Sequence, residues 1–195
     1  MSGKNRVNPA QAIGVYYASP PTITDGDTGE FLLDTAGRLV VSAAGDGDLI
    51  AITPTCDTNI YASGDLLFDL TAVANAVRSN GDVAYIKSLT VIDKDAQGTA
   101  MDIYVSTGST TMGTLNSAPN ISDANIVANQ MQLLCQIATS DYATLSGAKI
   151  ASLEISKAVE AAAGTRSIYI GAVTQGGTPT YTASGLVLLV GLIWK

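Results

Sequence analysis

The chain contains no histidine. That absence removes the Ser-His-Asp and Cys-His nucleophile arrangements and the histidine-zinc sites, each of which needs an imidazole as base or ligand. Any reaction would have to move its protons with carboxylates, lysine or tyrosine. Cysteine is nearly missing too. Cys56 and Cys135 stand far apart with no second ligand at metal spacing, so no disulfide framework and no metal site is expected. Both lie in apolar surroundings, AITPTCDT and MQLLCQIA, which suits small core residues, although spacing alone leaves a bridge between them open. Charge is sparse and one-sided: ten Lys and Arg against seventeen Asp and Glu give a net charge of −7. With no basic surface to displace counterions, neither nucleic acid nor an anionic membrane is an expected partner. Long apolar runs are absent. The longest, 186–194, is about half of what a membrane-spanning helix needs and is interrupted by Gly191. The opening MSGKNRVNPAQ has no apolar core of the signal-peptide kind, so no leader is expected.

What the chain has is small residues and turns. Nineteen glycines with abundant Ala, Ser and Thr make a turn-rich, low-charge composition, closer to a β-rich structural protein than to a helical enzyme. The length suits one ordinary domain plus an appendage.

The organising stretch is 83–107, VAYIKSLTVIDKDAQGTAMDIYVST. Its first eleven residues are β-branched, aromatic or small, without Pro or Gly. Both alternating sets, Val83/Tyr85/Lys87/Leu89/Val91 and Ala84/Ile86/Ser88/Thr90/Ile92, are largely apolar or small, which suits a central strand. KDAQG reads as a hairpin loop. The return strand alternates cleanly, with Met101, Ile103 and Val105 on one face and Asp102, Tyr104 and Ser106 on the other. A second hairpin is expected at the end, from RSIYIGAV through TQGGTPTYTASG to an apolar last strand inside a sheet.

Ahead of these, residues 1–24 read as an extended arm, since Asn8-Pro9 and Ser19-Pro20-Pro21 oppose regular helix. The arm carries Ile13, Val15, Tyr16 and Tyr17, more apolar side chain than a free polar tail holds. It packs either on its own domain or, the preferred reading, on a neighbouring subunit or another protein. A small strand-turn-strand unit follows over 30–42. Asp25, Asp27 and Glu30 imitate a calcium loop, but Gly29 and Glu30 occupy the wrong positions for one. In the body, strands are expected at 49–55, 66–70, within 131–145 (Leu133, Cys135 and Ile137 sharing a face) and at 148–159. A short helix or irregular loop is expected at 71–81, and a short helix capped by Ser122 at 121–130. YASGDLLFDL (61–70) and YTASGLVLLV (181–190) read as one turn solution used twice. The fold class is therefore all-β: an antiparallel, jelly-roll-like β-sandwich with an extended N-terminal arm and one or two short helices. Residues 1–45 form the arm and small hairpin, and 46–195 the sandwich. Strand order stays open.

Four stretches carry a family likeness: PPTITDGDTGEFLLDTAGRLVV (20–41), DTNIYASGDLLFD (57–69), NAVRSNGDVAYIKSLTVIDKDAQG (75–98) and TPTYTASGLVLLVGLIW (178–194). In these the chain resembles bacteriophage virion structural proteins, in particular head-associated decoration or cement proteins. The resemblance implies a non-enzymatic component, made in the host bacterial cytoplasm, that sits on the capsid surface of the virion with the major capsid protein as partner. It implies no cofactor and no catalytic residue. A homotrimer is expected by analogy with viral jelly rolls. Val15, Tyr16, Tyr17 and Ile23 of the arm are the expected contact residues. Two other readings use the body. Tyr61, Tyr104 and Tyr181 could form a sugar platform for host attachment, or be ordinary strand-end residues. Asp93 and Asp95 could be paired hydrolytic carboxylates, or loop charges.

Overall fold

The computed structural model describes residues 47–194. The arm, the 30–42 strands, the acidic residues Asp25, Asp27 and Glu30, and the expected contact residues Val15, Tyr16, Tyr17 and Ile23 lie outside them. The described chain forms nine strands: β1 (Gly47–Ile52), β2 (Leu66–Val73), β3 (Val83–Asp93), β4 (Met101–Ser106), β5 (Gln132–Ile137), β6 (Ala143–Leu145), β7 (Ala148–Glu160), β8 (Ile168–Thr174) and β9 (Leu186–Trp194). One helix, α1 (Asp123–Ala128), starts at Ser122, whose hydroxyl accepts from the Asn125 N–H at 3.3 Å. The cap falls where Ser-Asp before an apolar turn places it. The 71–81 stretch holds no helix: Thr71–Val73 continues β2 and turns follow.

All strand pairs are antiparallel, in sheets ordered β1-β9-β3-β7-β6 and β2-β8-β4-β5. Without the three-residue β6, the pairs β4·β5, β3·β7, β2·β8 and β1·β9 nest inside one another along the chain. Chain 47–106 thus pairs with chain 132–194 as one long antiparallel ribbon. Its bends pass from one sheet to the other, and wrapping adds β3·β9 and β4·β8. This is the jelly-roll arrangement, and the all-β sandwich expected from the sequence is present.

Neither expected hairpin forms. β3 is flanked by β9 and β7, and β4 by β8 and β5, so each has both edges taken and the 94–100 loop joins the two sheets instead. The same holds for β8 and β9 across 175–185. The tight hairpin among the described residues is β6–β7, turned at Ser146-Gly147 with Ser146 at φ 53°.

Bulges explain two facing errors. In β3 the register shifts between Ile86 and Ser88 against both neighbours. Ala84 and Ile86 are therefore buried from one alternating set, and Leu89, Val91 and Asp93 from the other. Both sets look apolar because each supplies half of the core face. In β5 a shift opposite Ile103 and Tyr104 buries Leu134 with Ile137 and turns Leu133 outward.

The core lies between the sheets, from Phe68, Ile86, Leu89, Ile103, Ile170, Leu188 and Val190 among others, each fully buried. Such a side chain contributes roughly 1.5–3 kcal/mol of transfer free energy. Cys56 belongs to this core and Cys135 packs against it, both as free thiols. Burial pushes each thiol up to about 12, so neither is a thiolate near neutral pH.

The outer face of the four-stranded sheet has its own cover. Connection 107–131 folds over it, and Met112, Leu115 and Met131 pack with Leu66, Leu70, Tyr104 and Val173. Asp69 holds the flap, accepting the Met112 N–H at 2.8 Å, and Leu66 donates its N–H to the Ser117 carbonyl at 2.9 Å. Close approach requires Gly171 here, since a Cβ would stand 2.7 Å from the Met112 sulfur and 3.3 Å from a Leu70 methyl. Gly171→Ala is expected to destabilise the protein by about 1–3 kcal/mol. With Met112→Ala in the same chain the loss should fall short of the sum of the single losses, read by denaturant unfolding.

Candidate interaction surface

The five-stranded sheet has no such flap among the described residues. Its outward side chains follow from the pairing. Ile193 sits between Gly47 and Tyr85, and Gly191 between Leu49 and Ser88. Leu189 sits between Ala51 and Thr90, and Ile92 between Val187 and Ile150. Leu49 is 61% exposed, Ile193 43% and Tyr85 40%, while Val187, Leu189, Ile92 and Ile150 are half-buried. At the far edge Leu145 of β6 is also exposed. A solvated antiparallel face normally alternates to polar outward positions. This face does so only in part, with Ser88, Thr90, Ser152 and Ser156 outward beside the apolar side chains. Lys87 and Glu154 are the ionisable groups within it, and Glu160 stands at the end of β7. The last strand is apolar on both sides, the pattern expected of a strand inside a sheet. It is interior to the sheet, yet sheet neighbours cover only its edges and leave Val187, Leu189 and Ile193 facing out.

Four of the other sequence candidates, Tyr61, Tyr181, Asp93 and Asp95, gather at one end of the sandwich, where loops brace one another. Cys56 N–H donates to the Ala183 carbonyl at 3.0 Å, Tyr61 N–H to Pro179 at 3.0 Å, Lys94 N–H to Gly185 at 2.8 Å and Gln175 N–H to Ala100 at 2.8 Å. The turn solution used twice, Tyr-Ala-Ser-Gly at 61–64 and Tyr-Thr-Ala-Ser-Gly at 181–185, is here. Turns Ala62–Asp65 and Thr182–Gly185 lead into β2 and β9 and bring Tyr61 and Tyr181 together edge-to-face, with centroids 6.3 Å apart. Both rings are buried, so they belong to the core and not to a sugar platform; Tyr104 is half-buried under the flap. The Tyr61 hydroxyl donates to the Leu67 carbonyl at 3.0 Å and accepts the Asp57 N–H. The Tyr181 hydroxyl has no hydrogen-bond partner, and burial holds its phenol well above the ordinary tyrosine value, only partly offset by nearby Thr99.

Asp93 and Asp95 are loop clamps. Buried Asp93 accepts N–H bonds from Gly98 at 2.6 Å and Asp95 at 3.0 Å. Asp95 reaches the opposite loop and accepts from the Thr182 N–H at 2.7 Å and hydroxyl at 3.0 Å. A Cβ on Gly185 would stand 2.0 Å from the Asp95 carboxylate, so the clamp requires glycine there. Asp102 bridges strands in the same manner, accepting from Gln136 and Gln175 at 2.8 Å each. These carboxylates are spent on backbone and amide donors. Two shallow cavities open beside them, one of about 320 Å³ lined by Gln97, Thr99, Thr139 and Gln175 among others, the other of about 510 Å³ lined by Thr58, Asp95, Thr180, Tyr181, Thr182 and Ala183 among others. Neither has an aromatic wall on which a sugar ring could stack, beyond the edge of buried Tyr181. Among the described residues no three His, Cys, Asp or Glu side chains converge as a metal site, and no helix is long and apolar enough to cross a membrane. Compared with known proteins, the chain matches no family model and no curated sequence.

Two predictions follow from the clamped end. Tyr181→Phe, which removes an unbonded buried hydroxyl, is expected to raise stability by about 1 kcal/mol, while Tyr61→Phe lowers it by about as much or more. Opposite shifts in melting temperature check this, and a loss in Tyr181→Phe would mean that a bound water satisfies the phenol. Burial raises the Asp93 pKa above the carboxylate value, outweighing the backbone N–H bonds and assisted by the Asp95 charge. The folded state therefore holds the proton that the unfolded state releases. This contribution is favourable below the unfolded pKa and is lost as pH rises through the raised folded pKa. Wild type should gain stability relative to Asp93→Asn as pH is lowered across that window, measured by melts in a pH series.

Proposed function

We propose that this chain is a non-enzymatic bacteriophage structural protein that binds and stabilises the capsid exterior as a homo-oligomer, a homotrimer, with the major capsid protein as partner. The observation that carries the reading is a jelly-roll sandwich whose outer face turns out Leu49, Val187, Leu189 and Ile193 along β1 and β9: a surface suited to assembly. The four stretches that resemble virion decoration proteins support it, as does the absence of histidine. In this reading the N-terminal residues Val15, Tyr16, Tyr17 and Ile23 make the capsid contact, through strand addition and aromatic burial. Many copies on a symmetric shell add avidity to a modest single contact.

Deletion of residues 1–24 is expected to abolish co-sedimentation with phage heads while the body keeps its cooperative melt. A truncated chain that still binds heads would overturn the role of the arm. Fab labelling of intact particles supplies the location: label spread evenly over heads supports decoration, and label confined to the tail would overturn it.

A further inference from the structure

We infer that the 107–131 flap is a redox-sensitive strap: oxidation of Met131 by a peroxide loosens it and opens Met112 to the same reaction, baring the outer face of the four-stranded sheet. The described methionines divide by place. Met101 is fully buried between the sheets, whereas Met112 and Met131 sit in the small cluster under the flap. There the flap supplies Met112, Leu115 and Met131, so two thioethers make most of its apolar grip on Leu66, Leu70, Tyr104 and Val173. The stretch between, 116–130, buries no side chain, and α1 within it is six residues long, too short to hold itself. Backbone bonds tie it at two points. Leu66 exchanges bonds with Asn116 and Ser117, and the Asn129 carbonyl accepts the Thr107 N–H at 3.0 Å. So few buried apolar contacts mark a segment of low local stability.

The two sulfurs differ in access. Met131 is half-buried, while Met112 is 3% exposed and its sulfur lies over Gly171, where even a Cβ would stand 2.7 Å from it. Hydrogen peroxide therefore reaches Met131 first. One oxygen passes to the thioether, whose sulfur gives an electron pair to the new S–O bond. The O–O bond breaks, and the remainder of the peroxide leaves as water. The sulfoxide is polar, and its neighbours in the cluster are Leu and Val side chains and the Tyr104 ring, so keeping it buried costs an unsatisfied acceptor. The flap gives way and Met112 becomes accessible. Its oxidation removes the second grip, because the close contact over Gly171 leaves little room for an added oxygen.

The test is hydrogen peroxide treatment of the full chain, followed over time by peptide mass spectrometry and by hydrogen exchange. Met131 is expected to oxidise first and Met112 after a lag, with Met101 still reduced. Exchange should rise in 107–131 while β3 and β9 stay protected, and methionine sulfoxide reductases should restore the protection. In Met131→Leu, which keeps the side-chain volume and has no sulfur, Met112 should react several-fold more slowly. Met131→Gln, with a polar amide in place of the sulfoxide, should raise exchange in 107–131 without peroxide. If Met112 oxidises as fast in Met131→Leu as in wild type, the strap is refuted. Oxidised Met131 with unchanged exchange in the flap refutes it too. Exchange that rises throughout the sandwich overturns it as well, because the flap then has no opening of its own.

Discussion

The structure depends on one constraint: the first half of the described chain finds its hydrogen-bond partners in the second half, in reverse order. β1 waits for β9, β2 for β8 and β3 for β7. Closing such distant pairs costs loop entropy before any core is buried, so the register has to be strongly specified once contact is made. The bulges in β3 and β5 contribute to that. Each lets a strand keep its pairing while changing which side chains enter the core, and a slip by one residue would expose Leu89 and Val91 together.

A ribbon bent through two sheets also needs its bends held. At one end the chain uses carboxylates for this. Asp93 closes its own loop, Asp95 crosses to the loop before β9, and the turns after Tyr61 and Tyr181 set the two rings against each other. At the other end Trp194 donates to the Ala76 carbonyl at 3.0 Å, with the Arg78 guanidinium 5.5 Å from its ring centre. The aspartates that suggest chemistry on paper are therefore structural donor sinks. Their geometry makes sense of a chain that has acids in its loops but no histidine to work with them.

The two outer faces of the sandwich differ in what covers them among the described residues. One outer face is closed by the flap from 107–131 and held by Asp69; the other, among the described residues, turns out Leu49, Val187, Leu189 and Ile193 beside the polar positions Ser88, Thr90, Ser152 and Ser156.

The sequence by itself determined the strand class and nearly every strand position. Period-two alternation in 101–106, the apolar run of 186–194, the Ser122 cap and the Gly-rich turns are local signals, and local sterics and solvation suffice to read them. The N-terminal contact residues rest on the sequence, as they lie outside the described part. Only the tertiary structure decided which strands are neighbours, and so that 83–106 and 168–194 are arches and not hairpins. Alternation tells which face of a strand is wet, but carries no information about which distant edge it meets. Tertiary structure also decided that Tyr61 and Tyr181 are core and that Leu189 faces outward. An apolar strand with both edges paired looks the same on paper whether its outer face is covered or bare, because coverage is a property of what else folds over it.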